Sequence, residues 1–262
     1  MANIWNLLLY QPLLNALIFF YQVLFNNLGL AIIALTVVIR LILTPLTLPS
    51  LKAASKMKEL APEIEKLKVK FKGDKQKFAQ AQLELYKKNG ANPAAGCLPQ
   101  IVQLIILIAL YNAFINVLKT GTSLETLNAV LYPFNQLKEG MVINTNFLYL
   151  NLANPDVFKI PGLPFPLPGV VLILAAAVQY FASKMSMPAA AASLKQAAKT
   201  PEKSDDFAAT MQTQMLYLFP LMTILIGFTF PSGLALYWFI FSFFTVVQQY
   251  YLNSKMGVKS AN

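Results

Sequence analysis

Apolar residues occur in long blocks that short polar segments separate. Leu28–Pro49 contains one charge, and Leu98–Leu118 and Leu167–Ser183 contain none. The uncharged stretch Phe207–Ser254 is long enough for two helices, and Pro231-Ser232-Gly233 is the natural break between them. Because about 20 apolar residues cross the hydrocarbon core as a helix, the pattern predicts an all-α membrane protein with five transmembrane helices.

The lysines predict the orientation of these helices. The segment between the first two apolar blocks contains 11 lysines, and the segments that would share its side bring the total to 17. The segment between the second and third blocks contains only 3. Lysine and arginine concentrate in cytoplasmic loops, so the N-terminus is predicted outside and the C-terminus inside.

Composition supports a membrane protein and excludes several kinds of chemistry. Hydrophobic residues make up 56% of the chain and charged residues 12%, too few to cover a soluble protein of this size. With one cysteine and no histidine, the usual disulfide, zinc, haem and Ser-His-Asp sites lack their residues. We therefore predict no cofactor, no metal and no enzymatic activity. The net charge of +10 reflects the lysines that set the topology. Binding to DNA is not expected, and contact with nucleic acid is expected only between the basic cytoplasmic loops and ribosomal RNA.

Residues 1–27 are uncharged, and their polar residues share a face. Gln11, Asn15, Gln22 and Asn26 recur at helical spacing. A helix lying in the outer membrane interface fits this stripe best. The alternative is a sixth transmembrane helix.

The most polar segment, Lys52–Asn89, predicts a cytoplasmic antiparallel helical hairpin. Gly73-Asp74 marks its turn, and Pro62 starts or kinks its first arm. A docking role and a solvated connector both fit this length. The apolar seam of the hairpin is formed by Met57, Leu60, Ile64, Leu67 and Phe71, with Phe78, Leu85 and Tyr86 facing it.

Arg40 is the only arginine, and it lies roughly 18 Å into the first predicted transmembrane helix at about 1.5 Å per residue. A charge at that depth costs on the order of 3 kcal/mol or more. No Asp or Glu lies in any predicted transmembrane helix, so a buried salt bridge is excluded. Two interpretations remain: Arg40 lines a water-filled cavity used in function, or carbonyls and side-chain amides satisfy it structurally.

Polar stripes on three predicted helices favour the cavity. Thr36, Arg40, Thr44 and Thr47 share a face of the first helix, and Trp238, Ser242, Thr245 and Gln249 share a face of the last. The second helix contributes Gln100 and Gln103 near its cytoplasmic end. Ordinary interhelical hydrogen bonding is the alternative. An unpaired positive groove would attract an acidic peptide, while an apolar segment of the same client enters lipid without nucleotide hydrolysis. The predicted groove residues are Arg40, Thr36, Gln103, Trp238, Thr44, Gln100, Ser242 and Gln249.

Three motifs carry a family resemblance along nearly the whole chain. They are Arg40 followed by Thr44-Pro45; Asn92-Pro93 with Gly96-Cys97-Leu98-Pro99, Gln103 and Ala109-Leu110-Tyr111; and Phe230-Pro231-Ser232-Gly233 with Leu236-Tyr237-Trp238 and Gln248-Gln249. In this order and spacing, the sequence resembles the YidC family of membrane protein insertases in its short five-span form, related to mitochondrial and chloroplast insertases.

The resemblance implies a groove open to the cytoplasm and to lipid but closed outside, with Arg40 as its cation. It also implies nascent membrane protein clients, contact with the ribosome, targeting factors or the Sec translocon, and a bacterial plasma membrane location. A large outer domain and a lipobox cysteine near the N-terminus, seen in other members, are absent from this sequence. The tail after the last apolar block is short, so strong ribosome anchoring is not expected. A small-solute transporter and a structural assembly subunit are the competing interpretations.

The predicted organisation divides the chain into ten segments. They are an outer interfacial helix (1–27), transmembrane helix 1 (28–50), a cytoplasmic helical hairpin (51–97), transmembrane helix 2 (98–118), an outer loop of short interfacial pieces (119–166), transmembrane helix 3 (167–183), a cytoplasmic loop (184–213), transmembrane helix 4 (214–230), transmembrane helix 5 (233–252) and a cytoplasmic tail (253–262).

Overall fold

The computed structural model describes residues 4–71, 73–91, 98–118, 124–186 and 207–255, and they are mostly helical. The predicted motif at 92–97 and most of the loop 184–213 lie outside these residues. A π-helical turn, Asn6–Tyr10, precedes the first α-helix, and a 3-10 turn, Pro133–Asn135, follows α6. The helices are α1 Gln11–Val23, α2 Leu28–Glu59, α3 Ala61–Lys70, α4 Lys75–Lys88, α5 Leu98–Leu118, α6 Leu124–Asn128, α7 Val170–Ser186, α8 Phe207–Gly227 and α9 Ser232–Lys255.

Three of these helices are long and apolar enough to cross a membrane. Within the described residues they are Leu28–Ser50, Ile101–Leu118 and Ser232–Tyr251. Val170–Met185 and Leu216–Gly227 are shorter apolar helical stretches. The described chain is therefore an all-α membrane protein in its main architecture, and the number of five transmembrane helices stays a prediction.

Helix α1 packs against α2 and α5 through fully buried Leu14, Leu17 and Ile18. Its polar stripe binds the segment that follows α6. The Asn15 side chain donates to the Val130 carbonyl at 3.3 Å and accepts from the Tyr132 N–H at 2.7 Å. Protein backbone thus satisfies part of this stripe, and the interfacial position of α1 stays a prediction.

The helical face predicted for residues 1–27 is too long. Helix α1 ends at Val23, and Asn26 lies beyond it in a left-handed conformation with φ 52°. Asn26 therefore belongs to the turn into α2 and not to the helical stripe. Asparagine tolerates this conformation better than most residues, which explains its place here.

The lysine-rich segment forms two short helices joined by a turn. Helix α2 continues through Pro45 and Pro49 to Glu59, and α3 begins with Pro62 in its first turn. Gly73 adopts φ 93°, and the Asp74 side chain caps α4 by accepting from the Lys77 N–H at 3.0 Å. Helices α3 and α4 pack against each other, as a helical hairpin requires.

At the opposite end, residues 124–169 cover the starts of three helices. Two small antiparallel pairs form there, β1 Asn146–Phe147 with β2 Leu150–Asn151, and β3 Val157–Phe158 with β4 Leu167–Pro168. The Ser232 N–H donates to the Asn154 carbonyl at 2.7 Å, which joins this loop to the first turn of α9.

Helix α7 also begins under this loop, three residues later than the predicted start at Leu167. Leu167 and Pro168 form β4, and buried Asp156 accepts from the Leu172 N–H at 2.8 Å. A Cβ on Gly169 would lie 1.7 Å from Asp156 Oδ1, so only glycine fits there. The fourth predicted transmembrane helix also has different bounds: α8 begins at Phe207 and ends at Gly227, where 214–230 was expected.

Among the described side chains of α2, α5 and α9, the buried apolar ones lie in one half of each helix. We call this the closed half: Leu28–Leu35, Ile106–Leu118 and Ser232–Tyr237, next to the loop. The other half, called the open half, comprises Arg40–Ser50, Ile101–Ile105 and Trp238–Tyr251. Among the open-half side chains that the structure describes, the buried ones are all polar: Arg40, Ser50, Ser242 and Gln249.

Candidate functional site

Arg40 lies in α2 where the closed half ends, and its side chain is 8% exposed. Its Nη2 donates to the Thr245 hydroxyl of α9. The guanidinium carbon lies 4.1 Å from the centroid of the Phe241 ring and 5.3 Å from that of Phe244. The described residues give it no ion pair with a carboxylate, so a charge is buried here without its usual partner.

The contact face of α9 is shifted from the predicted stripe. Thr245 belongs to both, but Phe241, Phe244 and Gln248 meet α2 where Trp238, Ser242 and Gln249 were expected. Ser242 and Gln249 are buried and Trp238 is half-buried. The structure therefore places all three within the helix bundle, on the face of α9 next to the one that contacts the guanidinium.

The predicted threonines of α2 bond mainly to their own helix. The Thr36 hydroxyl donates to the Ile32 carbonyl at 2.6 Å, and the Thr44 hydroxyl donates to the Arg40 carbonyl at 2.7 Å. Such bonds satisfy a hydroxyl inside an apolar helix. Thr44 additionally accepts from the Gln248 amide at 3.4 Å, a second polar link between α2 and α9.

Helix α5 reaches the site through Gln103. Its amide Nε2 donates to the hydroxyl of Tyr237, a residue of α9 that is 1% exposed. The side chain of Gln100, the other predicted residue of α5, lies outside the described part of the chain. Helix α9 is thus the element through which polar groups of both α2 and α5 are connected.

Sequence reasoning missed Tyr237, Phe241, Phe244 and Gln248, although a signal was available. These residues recur at spacings of 4, 3 and 4, the same helical periodicity as the polar stripe. Phe241, one turn before Thr245, and Phe244, directly before it, could have been recognised as cation–π partners for a buried arginine. The prediction considered polar residues only, so it selected the neighbouring face.

The arrangement is suited to binding an anion. The described residues contain no cluster of His, Cys, Asp or Glu able to hold a metal ion. The distinctive group is a guanidinium whose Nε is buried without a hydrogen-bond acceptor in the described structure. An unsatisfied, charged donor attracts an anionic or strongly accepting oxygen.

Comparison with known proteins identifies the family. The family model described as "60Kd inner membrane protein" matches residues 19–259. "Membrane protein insertase YidC" of Fusobacterium nucleatum is 34% identical over 231 residues, 88% of this chain and 88% of that protein. "Membrane protein insertase YidC 2" of Bacillus anthracis is 30% identical over 95% of this chain and 81% of its own length.

Longer relatives match as well. The chain aligns over 98% of its length with "Membrane protein insertase YidC" of Geobacter sulfurreducens at 30% identity, and spans 39% of that protein. These relatives are bacterial and are named as membrane protein insertases, which agrees with a protein of the bacterial membrane. The extent of the match and the apolar helices lead to one assignment: the chain belongs to the YidC family of 60Kd inner membrane proteins.

Proposed function

We propose that this protein is a membrane protein insertase and chaperone that guides apolar segments of nascent proteins into the bilayer. The observation that carries the proposal is the position of Arg40. It is buried without an acidic partner among the described residues, at the boundary where apolar packing ends and polar burial begins. A buried charge of this kind is expensive, which favours a functional reason for it.

The two halves define a route for a client. The loop 124–169 covers the closed half, so a polar client segment enters through the open half as far as Arg40. Its negative charge is stabilised by the guanidinium while an adjoining apolar segment moves along exposed Leu41 and Ile42 into lipid. Burial of about 20 apolar residues is favourable by many kcal/mol, so nucleotide hydrolysis is unnecessary.

The proposed topology has five transmembrane helices, α2, α5, α7, α8 and α9, with the N-terminus outside and the C-terminus inside. The lysine distribution supports it, because the α3–α4 hairpin then lies in the cytoplasm. There the hairpin is available to recruit clients and to meet the ribosome, targeting factors or the Sec translocon. Residues 124–166 and α1 then form the outer cover of the groove.

The decisive experiment is insertion into liposomes that contain the purified protein. The client has one apolar segment and a short outer tail carrying acidic residues, and protease protection of the tail measures insertion. Arg40→Ala is expected to reduce insertion about tenfold or more, and Arg40→Lys to retain an intermediate level, since it keeps the charge but loses the planar guanidinium. Lys138→Ala, which removes the same charge from an exposed loop, is the matched control and should insert normally.

Insertion by Arg40→Ala at the wild-type level for every client would contradict the groove mechanism. Photocrosslinking locates the client independently: a ribosome-stalled membrane client should crosslink to probes at Thr44 and Trp238 in the open half, and a soluble client should not. Crosslinks confined to the hairpin would show docking without passage through the groove. Solute flux in the same liposomes would support a transporter instead.

A further inference from the structure

The contacts that the structure records for the Arg40 guanidinium all come from one face of α9. Thr245 accepts its hydrogen bond, and Phe241 and Phe244 lie within cation–π distance of it. We call these three residues the α9 clasp. The clasp leaves the side chain only 8% exposed, so a client would meet a cation that is already partly occupied.

The hydrogen-bonding edge of the guanidinium is half filled. Nε and Nη2 point the same way and together match the two oxygens of a carboxylate. Thr245 takes Nη2, while Nε is buried and has no acceptor in the described structure. A single hydroxyl oxygen cannot satisfy both donors, whereas a carboxylate can.

We propose that the α9 clasp is a resting contact of Arg40 that a client carboxylate displaces, and that Thr245 and Phe241 are positioning residues that set the threshold for acidic clients. This rests on the proposed function. A carboxylate replaces one bond to a neutral hydroxyl by two bonds to a charged acceptor, so acidic clients open the clasp. An amide or a hydroxyl of a client binds the guanidinium too weakly to displace Thr245 and the aromatic rings.

The clasp also explains how an unpaired arginine is tolerated between clients. The Phe241 ring and the Thr245 hydroxyl offset part of the cost of burying its charge. The Thr245 hydroxyl donates in turn to the Phe241 carbonyl at 3.0 Å, which fixes its oxygen towards Arg40. Stronger contacts, such as a carboxylate on α9, would hold the guanidinium too firmly for any client to compete.

Two matched clients test the proposal in liposomes. They share one apolar segment, and their tails carry either two aspartates or two asparagines. Thr245→Val removes the acceptor but keeps the side-chain shape, and should lower the half-saturating concentration of the aspartate client about three- to tenfold while leaving the asparagine client unchanged. Phe241→Leu should act in the same direction by about two- to fivefold.

Two control variants bracket this result. Thr245→Ser keeps the hydroxyl and should match the wild type. Thr223→Val removes another buried interhelical threonine bond, to Gln179 at 2.6 Å, far along the chain from Arg40, and should not change the ratio between the two clients.

The direction of the change decides the outcome. An equal loss for both clients in Thr245→Val and Phe241→Leu would mean that the clasp only supports the fold, and would overturn the proposal. An Arg40→Ala variant that still prefers the aspartate client would overturn the proposed groove mechanism itself. Preference lost in Arg40→Ala but unchanged in Thr245→Val and Phe241→Leu would overturn the clasp alone.

Discussion

The closed and open halves of α2, α5 and α9 are built from similar residues but bury different ones. In the closed half, buried leucines, alanines and aromatic residues interdigitate beneath the loop 124–169. In the open half, Leu41, Leu104 and Val247 are exposed. The buried side chains described there are polar. One half of each helix therefore holds the bundle together, while the other presents apolar side chains outward and polar ones inward.

This division separates stability from activity along the same helices. Close packing makes the closed half sensitive to the loss of a few atoms. The polar contacts that join the open half to α9 are single hydrogen bonds, each of which contributes little net stability. Substitutions in the open half should therefore change client handling more than unfolding.

The sharpest test of the comparison uses one substitution at two positions of α5. Leu110 is fully buried in the closed half and Leu104 is 56% exposed in the open half. Leu110→Ala should lower the free energy of unfolding by about 2–4 kcal/mol, because the lost contacts leave a cavity. Leu104→Ala should lower it by less than about 1 kcal/mol. Unfolding by SDS in mixed micelles measures both, and equal losses would remove the distinction between the halves.

A second test concerns the loop that closes the bundle. The Tyr149 hydroxyl donates to the Asp156 carboxylate at 3.0 Å and accepts from the Val171 N–H at 2.9 Å. Burial raises the pKa of this hydroxyl, so it stays a donor at neutral pH. Tyr149→Phe should cost about 1–2 kcal/mol of unfolding free energy, since a charged acceptor loses a partner.

Tyr132→Phe is the control for that change. It removes a hydroxyl for which the described residues show no hydrogen bond, and should leave the unfolding free energy within about 0.5 kcal/mol of the wild type. A loss as large as that of Tyr149→Phe would mean that aromatic hydroxyls in the loop act through solvation and not through Asp156.

The sequence predicted what depends on local pattern. Helix α5 covers Leu98–Leu118, the full second apolar block, because that block is uninterrupted by charge. Arg40 was singled out because it is the one charge in its apolar block, and the structure does bury it. The hairpin turn at Gly73-Asp74 also has a local cause, the positive φ of glycine and the capping carboxylate.

Features that depend on distant contacts could not be predicted in this way. Asp156 belongs to the predicted outer loop, but it is buried beneath the start of α7 and accepts a bond from Leu172, 16 positions further along the chain. Strands of two residues, such as β1, show no periodicity to recognise. The predicted contact face of α9 differs from the observed one because two partners of the buried cation are aromatic. Aromatic residues in a transmembrane helix usually indicate apolar packing or lipid contact.

A smaller effect is expected for the link between α5 and α9 in the site. Tyr237→Phe removes the hydroxyl that accepts from Gln103, and half-buried Gln103 can turn its amide towards the groove. The expected loss of unfolding free energy is about 0.5–1 kcal/mol, typical of interhelical hydrogen bonds in membranes. The yield of client crosslinks to a probe at Trp238 should change clearly, although the free energy of unfolding changes little. A loss above that of Leu110→Ala would place this link in the packed core.

The smallest effect concerns the hairpin, which is outside both halves. Hydrogen bonds from Lys77 hold the pKa of Asp74 below its ordinary value. The stabilisation of the hairpin by the Asp74 carboxylate is therefore complete above the ordinary pKa of an aspartate, and it is lost as the pH falls through the lowered pKa. Hydrogen exchange at the Lys77 amide should then become faster, after correction for intrinsic rates, with no change in insertion at neutral pH. Asp74→Asn keeps an accepting oxygen for that N–H but does not titrate, so its exchange should be independent of pH in this range. The same acid dependence in Asp74→Asn would assign the effect to another carboxylate of the hairpin, because residue 74 does not titrate in that variant. The ion pair between exposed Asp74 and Lys77 itself adds little stability.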